Sequence, residues 1–496
     1  MRHIKKIFAI GVTASLLLTS ACTDLVNEER DSIVLPVTTD GFAKVNVPSF
    51  LEAAYKDLSA YTDQNNIYAL GQHTSAEMIP PTRGVDWGDN GVWRTLDAHT
   101  WDATHSAVLN AWNQLNQRAY RCNEILASDA NPQQAAEAKF LRALNMHLVM
   151  DYFGQVPFRE VTQGVDDLPN ILSRSEAFDF IVKDLTEAIP QLPSKGPSTS
   201  NTVATKAAAN FLLAKLFLNS AVYKSANPAG PYTFANADLD KVITYVNAIE
   251  AEGYKLEDNY FDNFKASAKS EIIFSAIEGS PQNRWFMTLH YGQNPSGWNG
   301  FTTLADFYDT FDPKDSRFGV PAAKNGTTYS GIGYGFLFGQ QFDDNGKQII
   351  DSRTQKPLSF TKDVPLAGAA TDKGIRVIKY HPATADKYIL MRFGEAVLMK
   401  AEAQLRSGKA ADALATINSL RAKRGVAALG ALDAEAMFKE IGFEKYWEGD
   451  KRTVEVRFGK FVNGTGSTID DEHTVLFPIP AQALVSNPNL QQNTGY

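Results

Sequence analysis

Downstream of Asn131 the chain falls into a four-residue rhythm. Ala136, Phe140, Leu144 and Leu148 stand one helical turn apart, Pro132 opens the run, and Gly154 closes it ahead of Pro157. That spacing predicts an amphipathic helix with legible ends. Phe178, Ile181, Leu185, Ile189 and Leu192 repeat the rhythm. Ser173 with Glu176 three residues on supplies a capping box, and Pro193 a stop. Thr205 precedes "KAAANFLLAKLFLNSAVY", which is apolar almost all round and so predicts a helix buried on every side. "NADLDKVITYVNAIEAEG" follows and ends at Gly253.

The clearest pair comes late: "KYILMRFGEAVLMKAEAQLRSG" ends at Gly408, and "KAADALATINSLRAKRG" ends at Gly425. Ala401, Ala403, Ala411 and Ala413 let two antiparallel helices approach closely. The pair resembles a tetratricopeptide unit, and 205–223 with 237–253 repeats the logic across a longer turn. The fold class expected is mostly α: stacked tetratricopeptide-like helical pairs with a long irregular insertion carrying short strands. The helical scaffold is placed at about 40–254 and 384–450. Between about 255 and 383 helical period fades while Gly, Pro, Asn and aromatics rise, which reads as a loop-rich insertion. There "FDDNGKQII" predicts a hairpin turn at Asn345-Gly346. Residues 451–496 read as a C-terminal irregular segment.

The N-terminus changes the picture of where this scaffold works. Arg2, Lys5 and Lys6 precede an apolar run from Ile7 to Leu18, then Thr19-Ser20-Ala21-Cys22. A charged start, a short apolar stretch and small residues before a cleavage point make residues 1–21 a signal peptide. The run is too short for a comfortable membrane span. The Cys directly after Ser-Ala looks like a lipoprotein signal, with Cys22 acylated as the mature N-terminus. Leu18 stands one place earlier than the usual pattern, which has Leu where Thr19 is. Several acyl chains at about 0.8 kcal/mol per buried CH₂ give stable anchoring. Residues 22–496 then form a single domain.

The chain of 496 residues has a formal charge of −8, and losing residues 1–21 removes three cations and no acid. That balance excludes nucleic acid or anionic lipid as the main partner. Only two cysteines occur, so with Cys22 lipidated Cys122 is left without a disulfide partner. It sits in a helical apolar pattern with Trp112, Leu115, Ala119 and Leu126, as a buried structural thiol does.

"RGVDWGDNGVWRTLDAHTWD", Arg83 to Asp102, spends three of the seven tryptophans on a polar, glycine-punctuated stretch. Large rings outside a helical or alternating pattern either cover a core edge or wait for something flat. Trp87, Trp285 and Trp298 lie in irregular contexts, "VDWGDN", "PQNRWFM" and "NPSGWNGF", and are the expected exposed platforms. Tyr291 is a further candidate ring. Asp86, Asp89, Asn90, Arg83, Asn283, Arg284 and Asn299 are the neighbours suited to bonding hydroxyls. Trp93 and Trp101 show partial alternation and are expected as loop anchors on strand edges. Trp112 and Trp447 fit the core.

Several stretches in a fixed order resemble the SusD/RagB family of outer-membrane glycan-binding lipoproteins. They are "AEAKFLRALNMHLVMDYFGQVPF", "DLTEAIPQLP", "RFGEAVLMKAEA", "ATINSLRAKRG" and "LFPIPAQALVSNPNLQQNTGY". The family's acidic-arginine stretch near the C-terminus departs here to "FEKYWEGDKR". Glu448-Gly449 and Arg452 are kept, and Lys445 stands where an Arg is usual. The resemblance implies a non-enzymatic surface lipoprotein that captures oligosaccharides as a hinged lid over a SusC-like TonB-dependent transporter. It also implies lipid anchoring in the outer membrane. The acidic residues past the anchor, Asp24, Glu28, Glu29 and Asp31, fit the surface-export signals of such proteins.

The chemistry of a sugar agrees with this. A pyranose has an apolar C–H face and a rim of hydroxyls, so an indole covers the face while carboxylates, amides and guanidiniums bond the rim. Burying about 100 Å² of apolar area per platform is worth roughly 2 kcal/mol before ordering costs. Aromatic platforms suit neutral glucans, with a curved β-glucan fitting as well as a flat chain. No cofactor or metal site is expected. There is no G-x-S-x-G, P-loop or H-E-x-x-H, His99 and His105 are poorly spaced as ligands, and Asp343-Asp344-Asn345-Gly346 lacks the ends of a calcium loop. Two alternatives stay open: a glycoside hydrolase with carboxylates about 5 to 9 Å apart, and a tetratricopeptide protein-docking module.

Overall fold

Helices start where their caps stand. Asn131 and Gln134 close a capping box at the head of Pro132–Phe153, and Gly154 ends that helix with φ +74°. Ser173 and Glu176 do the same for Arg174–Ala188, and the Thr205 side chain accepts from the backbone N–H of Ala208 at the head of Lys206–Leu218. These oxygens satisfy N–H groups that the first helical turn leaves without partners. The computed structural model describes residues 42–163, 167–277, 282–462 and 471–496, without the side chains of 282 and 283. Cys22 and the acidic residues after it lie outside the described residues. Lys44–Tyr496 forms one compact unit; of the preceding unit, Met1–Ala43, only 42 and 43 are described.

The helices stack in chain order. Ser106–Leu126 packs on Pro132–Phe153, which packs on Arg174–Ala188. Lys206–Leu218 packs on Asn236–Ala251, that helix on Phe393–Arg406, and this last on Ala410–Lys423. Asn236–Ala251 therefore meets Phe393–Arg406 directly, although some 140 residues separate them in sequence. The insertion leaves and re-enters through a two-stranded antiparallel sheet, Ile272–Ser275 against Ile389–Arg392. The expected helix over "KYIL" is thus a strand, and the helix starts at Phe393. Lys206–Leu218 also stops earlier than expected. Asn219 breaks it, and Ser220–Tyr223 continues as a separate turn. Cys122 is buried and free. Among the described helices, none is long and apolar enough to cross a membrane.

Inside the insertion, Gly319–Val320, Tyr334–Leu337 and Arg376–Ile378 form a three-stranded sheet. A second small core of Leu289, Ile332, Leu337, Ile349, Leu358, Phe360 and Ile378 lies with it. The hairpin turn expected at Asn345-Gly346 is present: the Asp343 N–H donates to the Lys347 carbonyl at 2.8 Å, and Gly346 has φ +79°. Residues 451–496 are not wholly irregular. Lys451–Arg457 is a helix, buried along its length.

A buried charge cluster joins insertion to scaffold. Glu444 accepts from Arg392 at 2.7 Å, from Arg424 at 2.7 and 3.0 Å, and from Arg317 at 3.2 Å, all four side chains being within 1% of full burial. Burial pushes its carboxyl up, but the guanidiniums of Arg424 and Arg392 hold it well below the usual carboxylate range. Lys445 pairs with Glu395, Glu448 and Asp450. The variant residue of "FEKYWEGDKR" is therefore an interior ion-pair partner.

Candidate functional site: an aromatic cavity between two distant loops

Two loops far apart in sequence meet because two very short strands pair. Met78 lies opposite Thr303, and Ile79 opposite Thr302, in antiparallel register. This lays the loop that follows Ile79 beside the loop that precedes Thr302. The first turns at Arg83–Asp86, where the backbones of the two residues exchange hydrogen bonds at 2.9 and 3.1 Å. Trp87, Asp89, Asn90 and Gly91 then all take positive φ, at 62°, 36°, 54° and 87°. For a bulky residue such as Trp this is an uncommon, strained conformation, of the kind that clusters at functional sites.

The second loop is held from both sides. The Trp298 N–H donates to the Phe286 carbonyl at 2.7 Å, Asn299 to Leu289 at 2.8 Å, and Gly300 to Met287 at 2.8 Å. The Trp87 Nε1 donates to the Trp298 carbonyl at 2.9 Å, joining the loops. The Trp87 and Trp298 ring centres are 6.1 Å apart, with planes tilted by 54°. Phe301 at 4.9 Å and Trp93 at 5.8 Å back the Trp87 ring. Trp298 is 48% exposed and Trp87 half-buried.

These rings wall an open cavity of about 630 Å³. Its lining includes Trp87, Trp93, Trp298, Tyr291, Val92 and Ala107 on the apolar side of the composition, with Asp86, Asp89, Gln64, Asn65, Asn66, Ser106 and Asn110 supplying polar groups. Among the described residues that line it, none is Lys or Arg. At one edge the Tyr291 hydroxyl donates to Asp86 at 2.5 Å, Arg353 donates to the same oxygen at 3.1 Å, and the Arg353 guanidinium sits 4.4 Å over the Tyr291 ring. The hydroxyl of Tyr291, with a lesser contribution from Arg353, lowers the Asp86 pKa below the ordinary Asp value. Asp89 accepts from the Trp93 indole N–H at 2.5 Å. Among the described residues no group of His, Cys, Asp and Glu is arranged to hold a metal ion.

Of the residues singled out from sequence, Trp87, Trp298, Tyr291, Asp86 and Asp89 come together here. Arg83, Asn299, Arg284, Trp285 and Asn90 do not. Arg83 is buried, donating to the carbonyls of Ala370 at 2.5 Å, Lys373 at 2.8 Å and Gly300 at 3.4 Å. Burial pushes its pKa down to about 10. Asn299 is fully buried between the Thr371 carbonyl and Arg376, at 3.0 and 2.6 Å. Both side chains therefore brace the Trp298 loop from behind and are not offered to a ligand. Arg284 is likewise interior, donating to the carbonyls of Thr62 and Asp63 at 2.7 and 2.9 Å and covering the Tyr68 ring at 3.5 Å. Trp285 packs on the second core and lies edge-on to Phe286, away from the cavity lining. Asn90 is exposed but lines no part of it. The side chain of Asn283 lies outside the described residues.

Trp93 and Trp101 are buried as anchors, but not on strand edges. Trp93 belongs to the helix Val92–Asp97, and Trp101 donates to the Tyr496 hydroxyl at 2.6 Å. Trp112 and Trp447 are core. Sequence reasoning missed Gln64, Asn65, Asn66, Ser106 and Asn110. The signal available was the amide run "DQNN" at Asp63–Asn66, which stands in a loop near no tryptophan in sequence.

Two family models match. One, described as starch-binding associating with outer membrane, covers residues 27–218; the other, described as SusD family, covers 271–461. The starch-binding protein SusD of Bacteroides thetaiotaomicron is 24% identical over 585 aligned positions, spanning 100% of this chain and 99% of that protein. Among solved structures, a SusD-like protein from Bacteroides fragilis superposes with a TM-score of 0.67 at 19% identity, covering 92% of this chain and 99% of the other. A laminarin-binding SusD-like protein superposes at 0.68 and 19% identity, covering 91% and 99%.

Proposed function

The chain belongs to the SusD/RagB family, and from that premise we propose that it captures neutral oligosaccharide or polysaccharide in the Trp87–Trp298 cavity. The observation that carries the reading is the pairing itself. One indole is braced from behind and a second is half open to water, on a wall whose described polar groups are amides, hydroxyls and two carboxylates, with the Arg353 cation at its edge on Asp86. A sugar face lies on the rings and its hydroxyl rim meets the polar groups. The 54° tilt between rings favours a chain that turns over one that lies flat, such as a curved β-glucan. The relatives named for starch and laminarin are consistent with a glucan.

In this reading the chain is anchored by a lipid at Cys22 on the outer-membrane surface and delivers its cargo as a hinged lid to a SusC-like TonB-dependent transporter. Weak, reversible capture serves that role, and two platforms at about 2 kcal/mol each give it.

A hydrolase would need one carboxyl kept protonated by a poorly solvated pocket. Asp86 is held the opposite way, with its pKa lowered by Tyr291, and so does not supply that acid. The reading is one of binding without turnover. Affinity gel electrophoresis of the lipid-free chain across neutral and anionic polysaccharides tests it. Retardation by neutral glucans without release of reducing ends is expected; retardation only by uronate or sulfated polymers, or hydrolysis, contradicts it.

A further inference from the structure

The helix Ser106–Leu126 touches the cavity only with its first turn, through Ser106, Ala107 and Asn110. Its solvent face runs on from there. Ser106, Asn110, Asn113, Gln117 and Tyr120 are all exposed, and at about 100° per residue they fall within a narrow arc of the helix. From Ser106 to Gln117 there is no Asp, Glu, Lys or Arg. Solvent faces of other helices look different. Lys139 pairs with Glu187, Lys224 with Asp179, Lys409 with Asp240, and Lys439 with Glu435. An exposed helix face ordinarily carries such charges. This one carries amides, and among the described residues the side chains of Asn110, Asn113 and Gln117 find no hydrogen-bond partner. The Gln114 amide oxygen beside them is buried and also without a partner among the described residues. Beyond the stripe, Asn116, Tyr120, Pro157 and Phe158 line a second hollow of about 210 Å³.

We propose that this uncharged amide face is an extension of the cavity: a row of subsites on which a neutral polysaccharide continues past the Trp87–Trp298 platform toward Tyr120. The inference rests on the carbohydrate reading above. Amides offer a donor and an acceptor side by side, matching adjacent hydroxyls. From Asn110 to Tyr120 the helix rises about 15 Å, room for several pyranose units beyond the one or two the rings hold. A protein partner fits the stripe poorly, because interface cores concentrate aromatic, Met and Arg residues, and here Tyr120 stands alone. Continuity with the cavity gives the glycan a path that a separate partner would not need.

The test uses the full lipid-free chain and its N113A/Q117A variant. Both sites are exposed helix positions outside the cavity lining, where Ala is a good helix former. Calorimetric titration with linear β-1,3- and α-1,4-glucan ladders reads affinity against chain length. The inference expects disaccharides and trisaccharides to bind both proteins alike. Heptasaccharides and longer chains should bind the variant about tenfold more weakly, which erases the gain with length. Equal affinity of both proteins for long chains overturns the stripe while leaving the cavity reading intact, also if the variant loses contact with a transporter instead. No binding of the unmodified chain to either ladder contradicts both the stripe and the glucan reading.

Discussion

The indole N–H of Trp87 donates to the backbone carbonyl of Trp298 at 2.9 Å across 211 positions of sequence. That bond makes one platform out of two loops. It also fixes how the Trp87 ring sits against the partner loop, because the indole has one donor and it is spent there.

Gly300 lies against the back of this platform. A Cβ there would stand 2.5 Å from two atoms of the Trp87 indole and 2.9 Å from the Met287 carbonyl. Gly300→Ala is expected to displace the Trp87 ring, cost about 1–3 kcal/mol of stability as overpacking does, and weaken glycan binding. Near-ultraviolet circular dichroism and calorimetry on the same sample check both. An unchanged tryptophan signal would contradict the packing.

The Tyr291–Asp86 bond sets a pH dependence. A carboxylate whose folded pKa lies below its unfolded value contributes above the unfolded pKa, and that contribution is lost as pH falls through the folded one. Binding that uses Asp86 as an acceptor should therefore persist below the ordinary Asp range. Tyr291→Phe removes the largest cause of the shift, so the acid limb of a binding-versus-pH curve should move to higher pH. A curve that does not move contradicts a role for Asp86.

Glu444 is surrounded by three guanidiniums from both insertion and scaffold. Breaking such a cluster from the acidic side leaves buried positive charge uncompensated, at about 3–5 kcal/mol. Glu444→Gln should lower stability to urea by that order. A loss no larger than that of Glu435→Gln, whose carboxylate pairs with exposed lysines, contradicts the clamp.

Glu455 titrates the other way. Burial pushes its carboxyl up to about 8, while an unfolded Glu ionises near 4.3. The folded state thus holds a proton that the unfolded state releases between these values. Stability from this group is full below about pH 4 and is lost as pH rises toward 8. Glu455→Gln should flatten the fall in urea midpoint between about pH 5 and 8. An identical fall in the variant assigns the effect elsewhere.

The helices were legible because their signals are local: Pro132 after Asn131, the box at Ser173, the Thr205 cap and the stop at Gly154 act within one turn. The strand at Ile389–Arg392 was not, since it forms only through pairing with Ile272–Ser275 more than 110 residues away. The site divides along the same line. Trp87 and Trp298 stood out as rings without a period. Arg83, Arg284 and Asn299 share their loops and carry bonding groups, yet their partners are carbonyls at 62–63 and 370–373, which only the tertiary fold brings near. Gln64–Asn66 and Asn110 were invisible as ligand groups because nothing near them in sequence marks a cavity.

The central claim is that a sugar rests on Trp298 and Trp87. Calorimetric titration of Trp298→Ala, Trp87→Ala and Trp285→Ala with a glucan that retards the unmodified chain tests it most directly. The account predicts that the first two each weaken binding by about thirtyfold, from roughly 2 kcal/mol of lost stacking, while Trp285→Ala, which packs on the second core, leaves affinity nearly unchanged in folded protein. Equal affinity in Trp298→Ala and the unmodified chain would contradict it.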